Sequence, residues 1–191
     1  MQYSNIHFIY TTFFGLGKVS GRIAGTIGSI VAFPVAFYIV RLSKLINGLM
    51  KLGDEPLYYL IVPILILLGL FIWGVISSNH YIKAVGNVDP KEVIIDEIVG
   101  QSLCLIATVP VTFLFMQQYM DKIPFDLMVG ACFGANLVLF RIFDIFKPWP
   151  INAIERKLPN GWGIMLDDVV AAIFSIIVYY LIFFRLIAHL Q

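Results

Sequence analysis

The chain of 191 residues is 60% apolar and 15% aromatic, with only 13% charged residues and a net charge of +1, and its mean hydropathy is +0.89. That balance excludes an ordinary soluble domain of this length. With no basic run or stripe to neutralise phosphates along a duplex, it also argues against nucleic acid as a partner.

A helix needs about 20 consecutive apolar residues to cross roughly 30 Å of hydrocarbon. Met1–Thr12 has neither a basic n-region nor a small-residue cleavage pattern, so no signal peptide is expected there. Gly15-Leu16-Gly17-Lys18 then leads into the uncharged run Ile23–Val40, which opens with Ala24-Gly25-Thr26-Ile27-Gly28-Ser29. Leu57–Ile76 and Ile98–Met120 reach spanning length outright, whereas Leu127–Phe140 and Val169–Phe184 reach it by including charged residues at their ends. The expectation is an all-α, polytopic membrane protein of about five spans, folded as a single unit over residues 1–191. Pro34, Pro63 and Pro110 lie within apolar runs, where membrane helices tolerate them. Cys104 and Cys132 fall inside spans as packed thiols, with no chemistry assigned to them.

Five spans place the N-terminus, the loop Ser77–Glu97 and the loop Arg141–Asp168 on one face. That face holds Lys18, Arg22, Lys83, Lys91, Arg141, Lys147, Arg156 and Lys157, against Arg41, Lys44, Lys51, Lys122 and Arg185 on the other. The excess of cations assigns the first face to the cytoplasm. The acids are more lopsided. Asp89, Glu92, Asp96, Glu97, Asp144, Glu155, Asp167 and Asp168 share the first face, and only Asp54, Glu55, Asp121 and Asp126 the second. Carboxylates do not set topology, so their clustering needs a chemical reason.

Asp96-Glu97 opens the third span, Asp144 closes the fourth and Asp167-Asp168 lies at the start of the fifth. Neighbours on a helix point about 100° apart, so at most one member of each pair is expected to face a common point. Three helices would then aim three carboxylates at one spot, an all-oxygen set suited to Mg²⁺ together with phosphate oxygens. A carboxylate cluster alone repels phosphate, and a cation inverts that sign. Acids at helix N-termini also stabilise the macrodipole, which accounts for either pair but not for Asp144 at a helix C-terminus. Arg141, Asp144 and Lys147 recur every three residues, so they share a helical face. They read either as a snorkelling, ion-paired helix end or as a mixed site, with Asp144 on the metal and the two cations on phosphate. Thr26, Ser29 and Lys18 are candidates to meet the same phosphate near a helix N-terminus, although Gly25, Gly28 and Ser29 equally suit close helix packing. Asn160-Gly161-Trp162-Gly163 reads as a tight turn ahead of the last span.

These stretches resemble the phosphatidylglycerophosphatase A family. The resemblance is carried by Gly25-Thr26-Ile27-Gly28-Ser29, by Ile95-Asp96-Glu97-Ile98-Val99-Gly100, by the block from Phe140 through Arg141, Asp144, Lys147, Pro148 and Trp149 to Pro150, and by Gly163 through Asp167-Asp168 to Ala171. They occur in the family's order, from about Gly15 to about Tyr180; Ala24 departs from it, standing where the family often has proline. The resemblance implies Mg²⁺-dependent hydrolysis of phosphatidylglycerophosphate to phosphatidylglycerol and phosphate at a bacterial inner membrane. It makes Asp96, Glu97, Asp144, Asp167 and Asp168 the catalytic and metal-binding candidates, with Lys18, Thr26, Ser29, Arg141 and Lys147 around the phosphate.

His7, His80 and His189 lie outside the matching stretches and neither cysteine adjoins a basic loop, which argues against a histidine or cysteine nucleophile. Attack by water or by a carboxylate remains, with water preferred because an aspartyl-phosphate route needs a second base that the sequence does not identify. A CDP-alcohol-type phosphatidyltransferase would carry a spaced aspartate pattern that is absent. A small transporter would spread ionisable groups through the membrane depth, whereas here they gather at one surface.

Overall fold

The computed structural model describes residues 5–20, 23–50, 58–87, 90–158 and 160–189, and their regular structure is entirely helical. Arg22, Lys51, Asp54, Glu55 and Asp89, all assigned to a face above, lie outside the described residues. In chain order the elements are α1 (Asn5–Thr11), α2 (Leu16–Ser20), α3 (Ala24–Met50), α4 (Tyr58–Val85), α5 (Ile95–Tyr119), α6 (Phe125–Phe146), α7 (Ile151–Lys157) and α8 (Asn160–His189). Five of them, α3, α4, α5, α6 and α8, are long and apolar enough to cross a membrane. They correspond one for one to the five expected runs. Pro34, Pro63 and Pro110 are all carried inside helices.

The helices outlast the apolar runs that announce them. α3 continues past Val40 through Arg41 and Lys44, and Arg41 lays its guanidinium over the Phe37 ring at 5.6 Å, an apolar stem carrying its charge outward. α8 starts at Asn160, so the expected turn Asn160–Gly163 is the first turn of the helix itself. Asn160 takes φ +59 there, and the Gly161 N–H donates to Asn79 Oδ1 at 2.9 Å. A methyl at Gly161 would stand 2.5 Å from the Val75 carbonyl oxygen, so α8 enters against bare α4 backbone.

α5 is the central helix. It packs against α3, α4, α6 and α8, and 56% of its apolar window is buried, against 17–28% for the other four spans. A helix enclosed in this way needs small residues, because lipid tails are as apolar as leucine and close backbone approach supplies much of the association. Gly100 meets that need. A methyl there would lie 2.9 Å from the Phe140 ring on α6 and 3.0 Å from the Asp168 carbonyl oxygen on α8. Ser102 adds a bond to the Ala32 carbonyl of α3 at 3.3 Å, and Asn136 Nδ2 of α6 donates to Thr108 Oγ1 at 3.0 Å.

The chain ends of these helices converge on one end of the bundle. Tyr10 OH donates to the Leu70 carbonyl at 2.7 Å, and the Ile94 N–H donates to the Thr11 carbonyl at 3.0 Å. α1 is therefore strapped across the C-terminal part of α4 and the entry of α5. The N-terminal segment, the α4–α5 connection and the start of α8 are neighbours, as span parity requires.

Candidate metal centre

The first turn of α5 carries Asp96 and Glu97, and its register is set by the buried Ile94, Ile95 and Ile98. α8 brings Asp168, 3% exposed, up to the same point, because Gly100 lets the two backbones touch. One ligand oxygen from each of Asp96, Glu97 and Asp168 lies within 4.8 Å of the others. Asp96 Oδ1, Glu97 Oε2 and Asp168 Oδ2 are buried with no hydrogen-bond donor. Buried polar atoms are nearly always satisfied, and an unpaired buried carboxylate is among the costliest groups to keep.

Two cations flank the cluster, each held by another of the acids. Arg141 Nη1 meets Asp144 Oδ2 at 2.5 Å within the last turns of α6. Lys147 Nζ meets Asp167 Oδ2 at 2.5 Å, linking the end of α6 to α8. Lys147 itself ends α6 in the left-handed region at φ +40, with its N–H donating to the Phe143 carbonyl at 2.9 Å. Few non-glycine residues adopt that conformation, and the backbone of this helix end is bent there. Asp144 is an electrostatic neighbour of both Glu97 and Asp168, so α6 reaches the cluster as well.

The expectation that one member of each pair would face the site holds for α8 and fails for α5. Asp168 turns inward, while Asp167 accepts from Lys147 and, through Oδ1, from the Asp168 N–H at 3.0 Å. On α5 both Asp96 and Glu97 enter the cluster. The glutamate's extra methylene and rotatable bond let its carboxylate swing back across the 100° that separates neighbouring positions.

The glycine-rich opening of α3 is explained by the same geometry. A methyl at Gly25 would fall onto Glu97 Oε1 and stand 2.9 Å from Arg141 Nη1, so bare backbone forms one wall of the site. Gly28 packs on the Ile94 carbonyl and the Glu97 Cβ. Ser29 is fully buried and donates to the Gly25 carbonyl at 3.0 Å, which engages its hydroxyl within α3. Thr26 is exposed. Lys18, also exposed, sets its ammonium over the Phe8 ring at 4.3 Å.

Gln101 was not among the sequence candidates. It is fully buried one turn beyond Glu97, and neither end of its amide has a hydrogen-bond partner. Its signal was an amide at i+4 from a carboxylate inside an apolar span. His7 and His80 pair with one another. His7 stacks on His80 at 4.3 Å and shares a hydrogen bond with Ser77 Oγ at 2.9 Å. Partial burial, and then the nearby His80, hold the His7 imidazole below its ordinary value.

A bundle of five helices long and apolar enough to cross a membrane, gathering carboxylates and two cations at one end, defines a helical membrane protein with a polar site. The chain belongs to the phosphatidylglycerophosphatase A family, whose description matches residues 9–183, and it is therefore a phosphatase. Over 182 residues it is 30% identical to the phosphatidylglycerophosphatase A of Escherichia coli, covering 95% of this chain and 86% of that one. A stretch of 48 residues is 56% identical to the phosphatidylglycerophosphatase A of Haemophilus influenzae, covering 25% of this chain and 29% of the relative. A Bacteroides thetaiotaomicron protein whose name proposes a phosphatidylinositol-3-phosphatase is 34% identical over 108 residues, or 56% of this chain and 58% of its own. No solved structure matches the chain.

Proposed function

We propose that this protein removes the terminal phosphate of phosphatidylglycerophosphate, giving phosphatidylglycerol and phosphate, with Mg²⁺ as cofactor, at the cytoplasmic face of a bacterial inner membrane. The observation that carries the reading is the set of three buried, donorless carboxylate oxygens on side chains that converge within 4.8 Å. Such a set fits a hard divalent cation, since it offers oxygen alone, without imidazole or thiolate. When bound, Mg²⁺ supplies charge neutralisation and polarises the phosphoryl oxygens.

The side chains of this site have separable tasks. Asp96, Glu97 and Asp168 would hold the ion, and Asp144 adds negative charge beside them. Arg141 donates through one guanidinium nitrogen to Asp144 and lies against the bare Gly25 wall, and a guanidinium there suits a phosphate. Lys147 is held at the rim by Asp167 and contributes a second positive charge there. Water is the preferred nucleophile. Thr26 and Lys18 remain candidates for contact with the polar headgroup from the exposed side.

The test is phosphate release from purified protein offered phosphatidylglycerophosphate, phosphatidic acid, phosphatidylinositol 3-phosphate and a soluble phosphomonoester, each with and without Mg²⁺. Metal-dependent release that is fastest from phosphatidylglycerophosphate is the expected result. Equal rates on all four, or full activity in excess chelator, would overturn the substrate or the metal respectively.

A further inference from the structure

A cavity of about 270 Å³ opens between α4, α5 and α8, lined by Ile64, Leu67, Leu68 and Phe71 of α4, Val99 and Leu103 of α5, and Leu166 and Val169 of α8. Every one of these side chains is apolar. On α5, Asp96, Val99 and Leu103 stand at i, i+3 and i+7, so the groove continues the helical face that begins with the carboxylate. On α8, Leu166 and Val169 bracket the Asp167-Asp168 pair. From Asp96 to Leu103 the helix rises about 10 Å, a third of the hydrocarbon thickness.

We infer that this groove seats one acyl chain of the phosphate-bearing lipid whose headgroup occupies the carboxylate site, an inference that rests on the reading of that site as a lipid phosphatase centre. A lipid phosphate monoester joins an anionic head to an apolar tail, and the protein places an acidic metal site and an apolar furrow in the same order along α5. The gain is positional. Moving a tail from the bilayer into the groove exchanges one apolar surface for another, so little hydrophobic free energy accrues. What the groove supplies is orientation, because a headgroup tethered by a seated chain meets the carboxylates in one pose rather than many. Leu68 is 51% exposed and Ile64 39%, so the furrow is open along the α4 side and a chain can enter sideways from the membrane.

The experiment uses the full-length protein in bilayers with two photoreactive lipids that carry the same diazirine-bearing acyl chain. One is a phosphatidic acid and the other a phosphatidylcholine. Seating predicts that the phosphatidic acid labels residues 64–71 and 99–103 several-fold more than the phosphatidylcholine, and that excess soluble glycerol 3-phosphate removes the difference. Equal labelling by both lipids would mean that bulk lipid fills the groove and would overturn the inference, whether or not the protein hydrolyses phosphatidylglycerophosphate. A second measurement blocks the groove after folding. Leu68→Cys is converted to a mixed disulfide by a long-chain alkyl methanethiosulfonate, methanesulfinate leaving, and the free thiol is later restored by reduction, with unsubstituted protein treated in parallel. Turnover of a long-chain substrate should fall about tenfold and recover on reduction, while a short-chain substrate should lose less than about twofold. Equal losses on both substrates, or none on either, would show that the groove does not orient the substrate.

Discussion

Changing Asp168 to asparagine keeps the shape of the side chain and removes one of three clustered carboxylates. At the outer separation of 4.8 Å, each ionised pair costs about 3.5 kcal/mol at an effective dielectric near 20. Asp168 takes part in two of the three pairs, so with all three ionised Asp168→Asn would relieve on the order of 7 kcal/mol of repulsion, an upper bound. Proton uptake within the cluster, water entry and side-chain movement lower that figure, and even about 1.5 kcal/mol surviving would raise the midpoint of thermal unfolding by roughly 3–6 °C in a chain of this size. The same substitution removes a metal ligand and should lower turnover at least about a hundredfold, equivalent to a few kcal/mol of transition-state stabilisation. The two readouts therefore move in opposite directions. In chelator the variant is more stable than the parent, and on adding Mg²⁺ the parent gains stability while the variant gains little. Thermal unfolding in detergent, followed with and without Mg²⁺ beside a phosphate-release assay, measures both. Wild-type turnover at saturating Mg²⁺, or a fall in turnover accompanied by a lower melting temperature in chelator, would refute the metal-ligand argument and leave Asp168 a structural acid.

Three further outcomes follow from the same geometry. Gly25→Ala places a methyl onto Glu97 and beside Arg141; it should cost about 1–3 kcal/mol of local overpacking and about tenfold or more in turnover, and wild-type kinetics would show that α3 does not wall the site. Asp126→Asn, exposed in the first turn of α6, is the charge-matched control and should leave turnover within about twofold, since a surface substitution away from the site shifts stability by no more than about 0.5 kcal/mol. Cysteines introduced at Lys83 and Asn152 should label from the same side of the membrane, the cytoplasmic one, and labelling from opposite sides would break the five-span arrangement.

The spans were legible because a bilayer imposes its own thickness: a run of about 20 uncharged residues has one economical fate, a crossing helix whose backbone bonds are all internal. Helix ends were less legible, since Arg41 and Lys44 interrupt an apolar run without interrupting the helix that carries it. Span parity likewise brought Asp96, Glu97, Asp144, Asp167 and Asp168 to one surface. Counting along a helix left open which of them meet. The division between Asp168, facing the cluster, and Asp167, paired with Lys147, comes from the rotation of α8 against α5. That rotation is set by contacts such as Gly100 on the Asp168 carbonyl, distant in sequence and invisible to local periodicity. Ser29 shows the reverse case. Its hydroxyl looked available for phosphate, yet inside α3 the nearest acceptor is the carbonyl four residues back. By itself, then, the sequence determined a five-helix membrane protein and the family's acids and cations at one of its faces. Tertiary structure decided that Asp96, Glu97 and Asp168 share one buried point, that glycine backbone walls it, and that an apolar groove runs down from it, because each depends on how closely separate helices approach.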